Sequence, residues 1–297
     1  MLSLCMSRSV SIVGAGRLGR ALGRSLRRLG WRVGAVVTRS GAHSRAAVRA
    51  IGAGRPFARL TSAVMDADVI LLLTPDDVLV EVASQLAKLA GEKCRGKIVL
   101  HGSGALDNSA LQALARRGAA TGSIHPMQTF TNNSQPNLKG VIFAIEGDPR
   151  ARRAAGAIAR SLGGIPVSVS SSGKPAYHAA GTLVAGHALA LTEAAAQTLI
   201  KIGFTRPQAV RTLLPLMRQM LDNFEKLGPR AAWTGPASRG DHATLKKHQR
   251  ALRRHPREFG DSYDALLRLS LRVLAKNPAA TLKKLDRALK NSRRNSQ

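Results

Sequence analysis

The sequence predicts an α/β fold, a doubly wound parallel sheet followed by an all-helical second domain. Three observations lead there. Short apolar runs alternate with amphipathic helices over the first half of the chain, which implies parallel strands covered on both faces. A glycine-rich turn sits between the first apolar run and the first helix. Beyond the small polar stretch Ser170-Ser171-Ser172-Gly173, every periodic segment has helical spacing.

Taken in order, the strand candidates are Val10–Val13, Arg32–Val37, Val69–Leu73, Lys97–His101 and Thr121–Ile124. Helices are expected over Arg17–Leu29, Arg45–Ala50, Asp76–Ala90 and Asn108–Arg116. Val69–Leu73 reads Val-Ile-Leu-Leu-Leu without polar alternation, as a central strand buried on both faces should. A last strand–helix–strand unit covers Val141–Ile145, Pro149–Leu162 and Pro166–Val169. The helical region then holds Pro175–Ile202, Arg206–Leu227, Asp241–Arg254, Asp261–Ala275 and Pro278–Lys290. Residues 8–171 are thus assigned to the sheet domain, 172–291 to the helical domain and 292–297 to a disordered basic tail.

Composition narrows the function classes. With 44% hydrophobic residues, 297 residues can fill two domain cores. The net charge of +29 asks either for a polyanionic partner or for dispersal. Dispersal is visible: Arg17, Arg20, Arg24, Arg27 and Arg28 lie on one expected helix, Arg45 and Arg49 on another. With 3% aromatics, no cluster for stacking bases and no zinc-finger spacing, nucleic acid is not the favoured partner. Cys5 and Cys94 are too few for a disulfide framework or a cysteine zinc site, which fits a reducing cytoplasm. Met1–Met6 is too short for a signal peptide, and Leu4 stands where a lipoprotein site needs a small residue. No unbroken run of about 18 apolar residues suggests a membrane span. The expectation is a cytoplasmic protein.

The glycine turn carries the first functional signal. Val10–Val13, then Gly14-Ala15-Gly16-Arg17-Leu18-Gly19, then a helix with Leu18, Leu22, Ser25 and Leu29 on one stripe, is the context of a Rossmann dinucleotide site. Gly14 allows the tight turn, Gly16 lets backbone approach a pyrophosphate, and Gly19 lets helix and strand pack closely. The pyrophosphate would sit on the helix N-terminus, beside Arg17 and Leu18. The end of the second strand chooses the nucleotide. An NAD site needs a carboxylate there for the ribose hydroxyls. This chain reads Thr38-Arg39-Ser40, and its first carboxylate anywhere is Asp66. Thr38 and Ser40 can donate hydroxyl hydrogens, and Arg39 can hold a 2′-phosphate with its planar fork. The expected cofactor is NADP rather than NAD.

Ligands in open α/β sheets lie beyond the carboxyl ends of strands. That places Thr74-Pro75-Asp76-Asp77, His101-Gly102-Ser103-Gly104 and His125-Pro126-Met127-Gln128 at the site, with Thr74, Pro75 and Ser103 toward the cofactor. Asp76 reads equally well as a helix N-cap. Lys174 and His178, four apart, share a helix face, and Pro175 suits its first turn. A cation beside an imidazole can bind a carboxylate substrate and exchange a proton. His187, nine residues on, falls about 180° round the helix from His178 and reads as structural. Trp233–His242 reads as a loop, with Arg239 as an anion ligand and Asp241 as the cap of the next helix. His242 and His248 lack the i,i+4 spacing of a helical metal pair, so no metal is expected. The catalytic candidates are His125, Lys174, His178 and Arg239.

These segments together resemble a known family. The glycine turn, Thr74–Asp77, His125–Phe130, Tyr177–Ala180 and Thr234–Asp241 are similar to those of bacterial predicted oxidoreductases that join a Rossmann-like NAD(P) domain to a helical C-terminal domain of unknown function. The likeness covers about residues 8–277. More distantly, the layout resembles pyrroline-5-carboxylate reductase, ketopantoate reductase and the 6-phosphogluconate dehydrogenase-like enzymes. The resemblance implies a C-terminal domain of the 6-phosphogluconate dehydrogenase type, which closes the active site and often forms a dimer. It implies a dehydrogenase or reductase acting on a small substrate, here expected to be anionic, and names no substrate. A flavin-type hydride partner, as in deazaflavin-dependent NADP reductases, fits the N-terminal likeness too.

From Lys246 onward basic residues recur. Lys246, Lys247, Arg250, Arg253, Arg254 and Arg257 are followed by Lys283, Lys284, Arg287, Lys290, Arg293 and Arg294, opposed only by Glu258, Asp261, Asp264 and Asp286. A solvated helix face explains them. The competing reading is a non-catalytic NADP sensor or polyanion-binding protein that uses this strip.

Overall fold

The structure is a computed structural model and describes residues 8–132 and 136–294. The readings made on Met1–Met6 lie outside the described residues. Contacts divide the chain into two compact units between Ala185 and Gly186.

The first unit is an eight-stranded sheet in the order β3-β2-β1-β4-β5-β6-β7-β8. Its strands are β1 (Ser9–Val13), β2 (Arg32–Val37), β3 (Arg55–Phe57), β4 (Val69–Leu72), β5 (Ile98–His101), β6 (Ala120–Pro126), β7 (Ile142–Gly147) and β8 (Ile165–Ser168). Strands β1 to β6 run parallel, as expected of a doubly wound sheet. β7 is the correction, because it pairs antiparallel with β6. No helix occurs among the described residues between β6 and β7, and a parallel return needs a crossover of a dozen or more residues, usually helical. The sequence reading also missed β3. It is a three-residue edge strand containing Pro56, and an edge is where a sheet tolerates proline.

Both faces of the sheet are covered. Helices α1 (Arg17–Arg28), α2 (Gly41–Ile51) and α5 (Pro149–Ser161) supply Leu22, Leu26, Ile51 and Ile158 to one core with Val69 and Leu71. Helices α3 (Asp76–Ala90) and α4 (Gln112–Ala115) supply Leu79, Leu86 and Leu114 to the other with Ile70 and Leu72. Alternate residues of β4 therefore face opposite cores, which is why that strand is apolar throughout. Asp148 caps α5, accepting from the backbone N–H of Arg150 and Ala151 at 3.0 and 2.9 Å, and from Thr121 N at 2.6 Å. Asp76 is not a cap: Pro75 takes that place and Asp76 opens α3.

The unit ends with α6 (Lys174–Thr182). The boundary thus falls later than the polar linker suggested, because Lys174 and Tyr177 bond to residues of the sheet unit. A π-helical turn, Leu183–His187, continues α6 into α7 (Ala188–Lys201), where the sequence suggested one uninterrupted helix. The run Ser171–Lys201 is long and apolar enough to cross a membrane by length and composition, with a mean hydropathy of 1.3 in one window. The sequence reading passed over it because Gly, Thr and His interrupt its apolar residues.

The second unit continues with α8 (Arg206–Leu227), α9 (Pro229–Ala232), α10 (Pro236–Arg239), α11 (His242–Leu252), α12 (Arg257–Leu274) and α13 (Pro278–Arg294). Its small core is Leu245, Leu267, Leu271 and Leu285, with Trp233, Ala237 and Tyr263 packed against it. Two expectations change here. The stretch read as a loop contains the short helix α10, and 292–294 of the expected disordered tail belong to α13. Residues 295–297 lie outside the described residues. Asp241 does cap α11, accepting from Thr244 N at 3.0 Å.

Candidate functional site

Parallel register sets the site before any side chain is considered. Val13 pairs with Val37 and with Leu72, and Leu72 pairs with His101. The residues that follow, Gly14, Thr38, Leu73 and Gly102, therefore leave the sheet along one edge. A Cβ at Gly14, where φ is +87°, would lie 2.6 Å from backbone atoms of Leu73 and Thr74. A Cβ at Gly19 would meet the Gly14 carbonyl oxygen at 2.8 Å. At Gly16 nothing lies within 4 Å. Two glycines are demanded by packing and the middle one faces open space, the arrangement a pyrophosphate needs. Arg17, exposed, opens α1, and Leu18 lies against Gly102. Arg20 was not singled out from the sequence. Its Nε donates to the Ala15 carbonyl at 3.2 Å and braces the turn. The Thr74 hydroxyl is buried on this edge without a partner, so a polar ligand group would satisfy it.

Beyond β2, Arg39 is exposed. Thr38 donates its hydroxyl to the Ser40 carbonyl at 3.0 Å. Ser40 caps α2 by accepting from His43 N, and its hydroxyl lies 2.7 Å from His43 Nδ1. His43 thus stands beside Thr38–Ser40. Its only signal in the sequence is its place three residues after the cap.

The second cluster lies at the ends of β5 and β6. His125 Nδ1 is 3.3 Å from the Tyr177 hydroxyl, which donates to the His125 carbonyl, also at 3.3 Å. The phenol oxygen then accepts from Nδ1–H, and Nε2 keeps its lone pair, a tautomer assigned from the hydrogen-bond network. The His125 and His178 rings meet edge to face with centroids 5.8 Å apart. Gly104 makes room for them: its Cβ would come within 2.7 Å of His178 Cδ2 and 2.9 Å of His125 Nε2. Burial lowers the His125 pKa to about 4, with the charges of His178 and Lys174 acting the same way.

Lys174 does not reach this space. It is 1% exposed, and its Nζ donates to the Ser103 carbonyl at 3.1 Å and to Ser123 Oγ at 2.7 Å. Burial lowers its pKa, and Glu146 opposes that shift. Ser103 is equally engaged. Its hydroxyl donates to Asp76 Oδ2 at 2.8 Å and accepts from Ala105 N and Leu106 N, while its N–H donates to His101 Nδ1. His101, fully buried, turns Nε2 to the Asp107 carbonyl at 3.2 Å, and burial with the Lys174 charge lowers its pKa to about 3. Ser103 and Lys174, expected to touch cofactor and substrate, instead shape the 101–104 loop. Tyr177 was not chosen from the sequence as a site residue, and His101 entered only as the start of the 101–104 loop. A strand-terminal histidine before Gly-Ser-Gly was the available signal for His101. Arg239 is exposed on α10 in the second unit. Among the described residues no group of three or more His, Cys, Asp or Glu side chains could hold a metal ion.

Residues 5–126 match a Rossmann-like domain, and residues 141–269 match a domain of unknown function, DUF2520. The chain joins a Rossmann-like domain to a DUF2520 domain. Among similar solved structures, a candidate NADP oxidoreductase of Bacteroides fragilis is 22% identical, with a TM-score of 0.75 over 89% of this chain and 98% of that one. An imine reductase from Pseudomonas sp. is 21% identical, with a TM-score of 0.66 over 94% and 99%. A reductive aminase from Aspergillus terreus, in complex with NADPH and ethyl-5-oxohexanoate, is 16% identical, with a TM-score of 0.65 over 90% and 94%. At these identities the likeness is one of fold.

The buried imidazoles make stability depend on pH. A histidine whose folded pKa is lowered is protonated first in the unfolded chain, near 6.5. Its stabilising contribution is therefore full above that value and is lost as pH falls toward the folded values of about 3 for His101 and about 4 for His125. The urea midpoint should be lower at pH 5 than at pH 7, by the equivalent of about 2 kcal/mol for each ring that stays neutral. An unchanged midpoint would show that these rings titrate normally.

Proposed function

We propose that the chain is an NADP-dependent oxidoreductase that reduces a carbon–nitrogen or carbon–oxygen double bond of a small molecule, or oxidises the product. One observation carries the reading: the Gly102–Gly104 loop touches the cofactor edge through Leu18 and Leu73, and the His125–His178 pair through Gly104. Cofactor grip and proton transfer are thus neighbours on a single loop. The residues fit the cofactor. Gly14 and Gly19 are packed, Gly16 is open, and Thr74 has an orphaned hydroxyl. The absence of any carboxylate before Asp66 and the presence of Arg39 favour NADP over NAD. The names of the similar structures, an imine reductase and a reductive aminase bound to NADPH, support the reaction class.

When bound, the nicotinamide would supply or accept a hydride at C4. The chain would handle the proton. His125 Nε2, with its lone pair held by the Tyr177 hydrogen bond, takes a proton from an amine or alcohol and returns it in the reverse direction. His178 forms the exposed side of the pair. Lys174 acts as a positioning residue, so the case for an anionic substrate rests on Arg239, exposed on α10.

NADPH should bind at least tenfold tighter than NADH in a fluorescence titration, and Arg39→Ala should abolish most of that ratio; equal affinities in the unaltered protein would remove the NADP reading. With a panel of cyclic imines and keto acids, NADPH oxidation is expected. His178→Ala should lower turnover at least tenfold while NADPH affinity stays within threefold. Loss of cofactor binding instead would assign His178 to folding.

The chain is further read as a homodimer. Leu189, Leu216, Leu221 and Phe224 on α7 and α8 are 71%, 68%, 54% and 55% exposed, and large exposed apolar surface of this kind marks an interaction site. A membrane would also have to accept the run Ser171–Lys201, which contains Lys174, whose ammonium is already tied to Ser103 and Ser123. Light scattering should give twice the chain mass, and Leu216→Lys with Leu221→Lys should give the chain mass. A monomeric unaltered protein would refute this reading.

A further inference from the structure

The groove between α12 and α13 concentrates cations that the rest of the second unit does not neutralise. It has a volume of about 710 Å³, and its lining includes Arg268, Arg272, Lys283, Arg287, Asp286 and Leu269. Arg268 is paired with Asp286 at 2.8 Å. Among the described residues, Arg272, Lys283 and Arg287 form no ion pair, and all three are exposed. Arg268 and Arg272 are one turn apart on α12, and Lys283 and Arg287 are one turn apart on α13, so two rows of cations face a common space with about 6 Å between members of a row. Like charges at this spacing destabilise each helix slightly. An anionic partner would offset that repulsion.

We infer that this groove binds the phosphate backbone of a nucleic acid without regard to sequence. The cations are long, exposed side chains around an open groove, which suits a chain of phosphates better than one enclosed small anion. Duplex DNA offers a charge per roughly 1.7 Å of axis, so both rows can be engaged together. No aromatic side chain lines the groove, which argues against base stacking and against insertion into a lipid interface. The strip of basic residues along the C-terminal region thereby acquires a defined centre.

The test uses the full chain and a fluorescein-labelled, random-sequence 24-base-pair duplex, followed by anisotropy at several salt concentrations. Arg272→Glu/Lys283→Glu/Arg287→Glu is compared with Arg116→Glu/Arg152→Glu/Arg153→Glu, which removes the same charge from exposed positions of the first unit. The groove variant should bind at least tenfold more weakly at 100 mM salt, and the control less than threefold. The slope of log affinity against log salt should fall by about 2–3 in the groove variant, as expected for the loss of three phosphate contacts. The neutral variant Lys283→Gln/Arg287→Gln should fall between. Equal losses in both triple variants would overturn the proposal and leave only diffuse charge. So would the absence of duplex binding by the unaltered chain, or groove-dependent binding confined to vesicles containing anionic lipid. NADPH affinity should be the same in both triple variants, so the result does not depend on the cofactor reading.

Discussion

A single ammonium group fastens three pieces of chain at the carboxyl edge of the sheet. Lys174 Nζ comes from the first turn of α6, and it donates to the carbonyl of Ser103 in the loop after β5 and to the hydroxyl of Ser123 on β6. A charge this deeply buried is costly unless it is hydrogen-bonded and close to opposite charge. Both conditions hold, since Glu146, itself 8% exposed, favours the charged form. The consequence spreads outward. With Ser103 fixed, its hydroxyl can bind Asp76 and two backbone N–H groups, and its own N–H can bind His101. With α6 fixed, Tyr177 can reach His125 and His178 can stand beside it.

The same edge is shaped as much by missing atoms as by present ones. Gly14 and Gly19 let the turn and helix α1 close onto β1 and β4, while Gly16 leaves its space empty. Gly102 admits the side chains of Leu18 and Leu73, and Gly104 admits two histidine rings. These positions alternate between tight packing and open room over short distances. That alternation brings backbone segments into close contact at Gly14 and Gly19 and leaves room for two imidazole rings at Gly104.

Legibility in the sequence followed physical range. The parallel strands β1, β2, β4 and β5 were visible because each is a short apolar run with a clear flank, and the three glycines were visible because strand and helix frame them. β3 was hidden by Pro56, and the reversal at β7 by a connection that carries no pattern of its own. The roles of Lys174 and Ser103 were misread for a related reason. Spacing places Lys174 one turn from His178, but only the fold reveals that its side chain turns inward to a carbonyl 71 residues earlier in sequence. Tyr177 became part of the site through a contact with His125 across 52 residues, which no local pattern encodes.

Gly104 holds the two imidazole rings off the backbone by the thickness of a hydrogen atom. On that loop the backbone itself is the floor beneath the paired imidazoles, and there is no side chain to rotate away. A methyl group there would press on both rings at once while touching none of the glycines that cradle the turn. One position thus governs how both rings pack, while the close contacts at Gly14 and Gly19 do not involve it. Any side chain at residue 104 would displace the two imidazoles and leave the glycine turn after β1 as it is.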